Sequence, residues 1–223
     1  LLGFLAHLAL AGLGLLWLVR RLGGGWAPAL MAALGFALSG FFVVHLMHPN
    51  FVYSAAWLPW LLGALHGLVH RFTARDAALA ALFVGLGILA GGLQLVYYGY
   101  GCALLLASTW ALTAPELDHR GRLLRLAALG GVFALGAALT AVQLLPTAEF
   151  AALSVRADGV TLDVARSYRL PSRQALHLAV PFLFGLDGRT PFVAGQNYHE
   201  AFGYFGVLAL PQAGAALARR PRL

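Results

Sequence analysis

The chain has no lysine, one cysteine and few charges of any kind: 10% of its 223 residues are charged, while 61% are hydrophobic. A soluble domain carries roughly a quarter charged residues, so a water-soluble fold of this length would lack the polar groups to cover its surface. Cys102 has no second cysteine to pair with, which excludes an intrachain disulfide and a thiolate metal site. Ten-residue segments of alternating polarity are absent, which excludes the pattern of a membrane barrel. There is no glycine-rich nucleotide loop, no Ser/His/Asp arrangement and no internal repeat, so the sequence implies no cofactor. All fifteen basic residues are arginine; with the abundance of Ala, Gly and Leu this reads as a coding bias. The net charge of +7 does not argue for nucleic acid, because membrane proteins gather excess cations at the cytoplasmic ends of their spans.

What the chain does have is long apolar runs, each near the roughly twenty residues that cross a bilayer as a helix. The first runs from about Leu2 to Val19 and closes at Arg20 and Arg21; the second runs from Trp26 to about His45. Pro49 interrupts the pattern at HLMHPN, and a third run extends from about Ser54 to His70. The stretch from Asp76 to Thr113 is too long for one span and divides into two at Gly91, Gly92 and Gln94. A sixth run covers about Leu123 to Leu145 and a seventh Ala201 to Leu217. The expected fold is an all-α polytopic helix bundle of about seven transmembrane helices. Residues 1–146 form a six-span region, 147–199 one long extracytoplasmic loop, and 200–223 the last span with a cytoplasmic end. Because the sequence begins inside an apolar run and stops at ARRPRL, it reads as a fragment of a longer protein.

Arginine orients the spans. Residues 20, 21, 71, 75, 120, 122, 125, 219, 220 and 222 all fall in connections or ends that strict alternation assigns to one face, the cytoplasmic one. The short opposite connections, HPN and GGLQ, carry none. The remaining arginines lie in the long loop, where the charge rule is weaker.

Candidate site residues therefore belong to the extracytoplasmic ends: His48 and Asn50, Gln94 and Tyr97, Glu149 and Arg156, and Asn197 with Glu200. A cavity at that depth suits a lipid-linked substrate, whose head group needs polar partners. Arg156 either holds a phosphate through its planar fork, or snorkels toward lipid head groups or pairs with Glu149 or Asp158. Glu149 and Glu200 either position a hydroxyl or sit as interfacial carboxylates. His45 and His48 share an i, i+3 spacing, but Pro49 and the lack of a third ligand argue against metal. Trp57, Trp60, Tyr97, Tyr98, Tyr100 and Tyr204 read as an interfacial belt, or as sugar-stacking rings for Trp57 and Tyr97. Gly35, Gly40, Gly85, Gly87, Gly130, Gly131 and Gly136 read as close helix packing. His7 and His66, alone on apolar spans, read as satisfied within the bundle.

The segments HPNFVYSAAWLPW, AGGLQLVYYGYG, QLLPTAEFAALSVR, PFLFG and NYHEAFGYFGVLAL, in that order, resemble the bacterial YfhO-like membrane proteins. That family is similar in architecture to the GT-C glycosyltransferases. The resemblance implies transfer of a sugar from a polyprenyl-phosphate carrier to an extracytoplasmic cell-envelope acceptor, in the bacterial cytoplasmic membrane. Its partners would be the lipid-linked sugar donor, a glycan or polymer acceptor and membrane lipids, with no nucleic acid. It further implies a catalytic carboxylate in an outer loop upstream of Leu1, and substrate contacts at Glu149, Arg156 and Glu200. A transporter or lipid flippase, and a noncatalytic assembly protein, remain the alternatives.

Overall fold

The structure, a computed structural model, describes residues 1–155, 157, 159–167, 172, 175–176, 180, 183, 185 and 209–218. Every regular element among them is helical: α1 Leu2–Arg21, α2 Trp26–Ala37, α3 Gly40–Val44, a 3₁₀ turn His45–Met47, α4 Pro49–His70, α5 Ala74–Leu89, α6 Leu93–Thr113, α7 His119–Leu139, α8 Ala141–Ala152, α9 Leu162–Ser167 and α10 Ala209–Ala218. The chain divides into two compact units, one of Leu1–Ala37 with His48–Ala157, the other of Leu38–Met47 with Asp158–Leu223. The first unit holds α1, α2 and α4 to α8.

Five stretches among the described residues are long and apolar enough to cross a membrane: Leu2–Arg21, Trp26–Met47, Pro49–His70, Leu93–Thr113 and His119–Leu139. This is the construction of a multi-pass helical membrane protein. Of the seven expected spans, the fourth forms α5, which at 16 residues is shorter than the five membrane-length stretches, and the fifth forms α6. Of the seventh, residues 209–217 are helical within α10, and residues 201–208 lie outside the described residues. The third starts at Pro49 and not at Ser54, since proline fits the first helical position, where no amide bond is needed. The second contains a break at Leu38 and Ser39, ahead of Gly40, where two weak helix formers adjoin. The sixth stops at Thr140, whose hydroxyl donates to Gly136 O at 3.0 Å and Ala137 O at 3.1 Å, and the chain resumes as α8. α8 continues through Pro146 to Ala152, so Glu149 is helical where a loop was expected.

Within the first unit, α4 is the central helix: twelve of its residues are buried, and it packs on α1, α5 and α6. The α1–α4 contact is reciprocal. Trp60 of α4 lies where a side chain at Gly14 would be, 2.5 Å from an added Cβ, and Trp17 of α1 fills the same space at Gly63. The two indoles stack at 5.4 Å, and Trp60 Nε1 donates to Leu10 O at 2.9 Å. Trp60 is thus an interhelical wedge and not a belt residue. Tyr100 likewise turns inward: it is buried, and its hydroxyl donates to Phe83 O at 2.9 Å and Val84 O at 3.0 Å while covering Gly87. Gly85 and Gly136 bring α5 and α7 together, with Thr140 and Val84 in the spaces left by the missing side chains. Gly35, Gly130 and Gly131 have nothing within 4 Å of an added Cβ, so the packing expected there does not occur among the described residues.

The polar ends are tied as firmly as the apolar middle. Asp76, 1% exposed, is the third residue of α5. Thr73 caps that helix reciprocally, accepting from Asp76 N at 3.1 Å and donating to Asp76 Oδ2 at 2.7 Å. Arg71 closes on the same carboxylate with Nη2 at 2.8 Å from Oδ1 and Nε at 3.2 Å from Oδ2, and Arg21 reaches it from the end of α1. The Arg21–Asp76 pair lies directly on Gly67, where an added Cβ would come 2.5 Å from Asp76 Oδ1. Between α4 and α5, Phe72 takes a left-handed φ of 52° and its N–H donates to Gly67 O at 3.2 Å. Such a position normally takes glycine, and a larger residue there costs about 1–2 kcal/mol.

Substituting Asp76→Asn leaves two guanidiniums without their counter-charge and is expected to lower stability by about 3–5 kcal/mol. Denaturant unfolding in detergent micelles, followed by helical circular dichroism, measures this directly.

Candidate functional site at the arginine-free end

The ends of α4 and α6 that carry no arginine come together through Ser54, one turn into α4. Its Oγ accepts from Gly92 N at 3.0 Å and donates to Gly87 O at 3.2 Å. The hydroxyl thereby joins α4 to the end of α5 and to the turn that starts α6. Gly91 has φ 87°, and an added Cβ at Gly92 would lie 2.7 Å from Asn50 O. Only a residue without a side chain allows this approach of backbone to backbone. Ser54 follows Asn50 by four residues and so shares its helix face, a spacing visible in the sequence whose partner, Gly92, was not.

His48 precedes α4, and Asn50 is its second residue; Gln94 is the second residue of α6. Asn50, Gln94, Tyr97 and Tyr98 are exposed, and Tyr97 and Tyr98 meet edge to face at 5.3 Å. His48 is half-buried and stacks on Phe51 at 5.7 Å. The structure therefore brings Asn50 and Gln94 into the first turns of two neighbouring helices. Amide N–H groups of an opening turn have no intrahelical acceptor and carry partial positive charge. Uncharged hydrogen-bonding side chains beside two such ends suit an anionic group flanked by hydroxyls.

Glu149 is exposed near the end of α8, a helix with no buried residue, and no hydrogen bond among the described residues joins it to His48, Asn50, Gln94 or Tyr97. Arg156, Asn197 and Glu200 lie outside the described residues. His45 belongs to the second unit, where its Nδ1 donates to Phe41 O at 2.8 Å, and His48 belongs to the first. No group of three or more His, Cys, Asp or Glu side chains able to hold a metal ion occurs among the described residues.

A second polar cluster, unforeseen from the sequence, occupies the opposite, arginine-bearing end. His66 and His70 of α4 have ring centroids 4.5 Å apart, and His66 meets Trp110 of α6 edge to face at 5.3 Å. His70 Nδ1 donates to Glu116 Oε1 at 3.0 Å in the α6–α7 connection. Its own backbone amide, then the His70 hydrogen bond, hold the Glu116 carboxyl below the usual value of 4.5. Histidine and glutamate are 46 residues apart, so only the return of α6 beside α4 joins them.

No family model matches the chain, and no curated protein or solved structure matches it. The fold and the two polar ends define a class, the all-helical multi-pass membrane protein.

Replacing Ser54→Ala removes both of its bonds and is expected to cost about 1–3 kcal/mol, speeding hydrogen exchange at residues 91–94 first. At the other end, a depressed carboxyl contributes stability above its unfolded value and loses it as pH falls through the folded one. The difference in melting midpoint between the parent and Glu116→Gln is therefore expected at pH 7 and should vanish well below pH 4.5.

Proposed function

We propose that this chain is part of a membrane glycosyltransferase that takes a sugar from a polyprenyl-phosphate carrier at the arginine-free end and passes it to an extracytoplasmic acceptor. The observation that carries this reading is the joining of the first turns of α4 and α6 by Ser54 and Gly92, with Asn50 and Gln94 beside them. A phosphate is favoured at such helix ends, and carboxamides match sugar hydroxyls. Tyr97, 75% exposed, offers a flat apolar face to a pyranose ring. The resemblance to YfhO-like and GT-C proteins supports the same substrate class. In that reading Arg156 adds charge-assisted bonds to the phosphate, while Glu149, Glu200, Asn197 and His48 orient donor and acceptor. The catalytic carboxylate is expected upstream of Leu1. The location is the bacterial cytoplasmic membrane, with the arginine-bearing ends inside the cell.

The test uses the full-length protein in proteoliposomes with a lipid-linked sugar donor. The pair Asn50→Ala and Gln94→Ala is expected to reduce turnover about tenfold or more, and Arg156→Ala to weaken donor binding by a similar factor, as lost substrate hydrogen bonds do. Solute or lipid movement without glycosylated product would assign the chain to transport. Turnover unchanged in all three variants would remove these residues from the site.

A further inference from the structure

The turn between α4 and α5 combines three features that the helix contacts alone do not require. Phe72 is the one non-glycine residue with positive φ among the described residues, and it is 40% exposed. Arg125 of α7 lies over that ring, its guanidinium carbon 4.1 Å from the centroid, while its Nε donates to Val69 O at 3.2 Å. Arg71 and Arg75 flank the turn, and Arg75 is exposed with no hydrogen bond or ion pair among the described residues. An aromatic ring has thus been kept in a backbone conformation that favours glycine, at the end of a membrane-spanning helix, beneath one arginine and between two others.

The charge there does not balance. At this end the arginines 20, 21, 71, 75, 120, 122 and 125 outnumber the three carboxylates of Asp76, Glu116 and Asp118, and Asp76 and Glu116 are the two nearest the turn. Asp76 is taken by Arg21 and Arg71, and Glu116 by His70 with a weaker electrostatic pull from Arg125, so Arg75 keeps its full capacity for an external anion and Arg125, held over Phe72 and bonded to Val69 O through Nε, adds the rest of its fork. A half-exposed phenyl ring at a span's end belongs at the boundary between acyl chains and head groups, and guanidinium forks beside it stand at phosphate level.

We propose that this turn is a binding site for an anionic glycerophospholipid of the adjoining leaflet. Phe72 packs along the glycerol and upper acyl region, and Arg75 and Arg125 bind the phosphodiester, the lipid's net negative charge offsetting the surplus of the turn. The site is remote from Asn50 and Gln94 and does not depend on the sugar-transfer reading.

Native mass spectrometry of the purified full chain, titrated with phosphatidylglycerol and in parallel with phosphatidylcholine, tests the site. The parent is expected to prefer phosphatidylglycerol, and Arg75→Gln to weaken its binding about fivefold, the effect of one arginine near a charged lipid surface. Phe72→Ser is expected to weaken both lipids. Arg125→Gln also removes a bond to α4, so Arg75→Gln, which disturbs no described contact, is the deciding variant. Arg20→Gln removes an equal charge from the end of α1, where Arg20 donates to Gly24 O, and is expected to leave the preference unchanged. Equal loss in Arg20→Gln and Arg75→Gln, equal affinity for the two lipids, or full displacement of phosphatidylglycerol by soluble glycerol phosphate would each overturn the proposal.

Discussion

The arrangement of the first unit depends on one buried carboxylate. Asp76 is 1% exposed and takes guanidiniums from the end of α1 and the end of α4, with a hydroxyl from its own cap. A charge in that position is tolerable only when paired and fully hydrogen-bonded. Three helices must therefore meet at one level, since sliding α1 or α4 by a turn would leave a charge alone beside hydrocarbon. Gly67 gives the pair its space, and any side chain there would separate the ions from α4. A buried ion pair contributes modestly to net stability, but it penalises every other register strongly.

With that level set, the apolar contacts follow as a consequence of length. Trp17 enters α4 at Gly63 and Trp60 enters α1 at Gly14, interlocking the two helices along their shared face. Hydrophobic burial gives little drive between helices in lipid, where close packing and interhelical hydrogen bonds matter more. Tyr100 bonding to Phe83 O and Val84 O, and Ser54 bonding to Gly87 O, use that kind of bond to hold the far half of α5. The result is an end where Asn50 and Gln94 stand on backbone fixed from several directions. Preorganisation of this type is what a binding site for a flexible lipid head group needs, because little ordering remains to be done on binding.

The two ends differ in electrostatic character. One gathers the arginines 20, 21, 71, 75, 120, 122 and 125 at the ends of α1 and α4 and the starts of α5 and α7, with Asp76, Glu116 and Asp118 partly compensating. The other presents the first turns of α4 and α6 with uncharged amides and no arginine. An anion is therefore favoured at both, for different reasons: full charges in the first case, backbone dipoles and amide donors in the second. The proposed lipid contact draws on the first of these ends and the proposed substrate contact on the second.

Hydropathy was enough to mark the five helices long and apolar enough to cross a membrane, because hydrocarbon admits no unpaired backbone and each apolar run must close its bonds within itself. The same rule made Gly91 and Gly92 readable as a break, and the arginine spacing readable as one end of the bundle. The positions of the breaks at Ser39 and Thr140 were not readable, since they turn on local hydroxyl bonds and weak formers inside apolar runs. Nor were the roles of Trp60 and Tyr100, which a belt and an interhelical wedge predict equally from sequence position. Ser54 with Gly92, Arg21 with Asp76 and His70 with Glu116 are separated by 38, 55 and 46 residues. A one-dimensional pattern reports how each segment meets lipid, so the sequence by itself determined the helical class and its polar ends. Which side chains meet across helices depends on rotation and level, and those were decided only when the charges and the glycine spaces were matched in three dimensions.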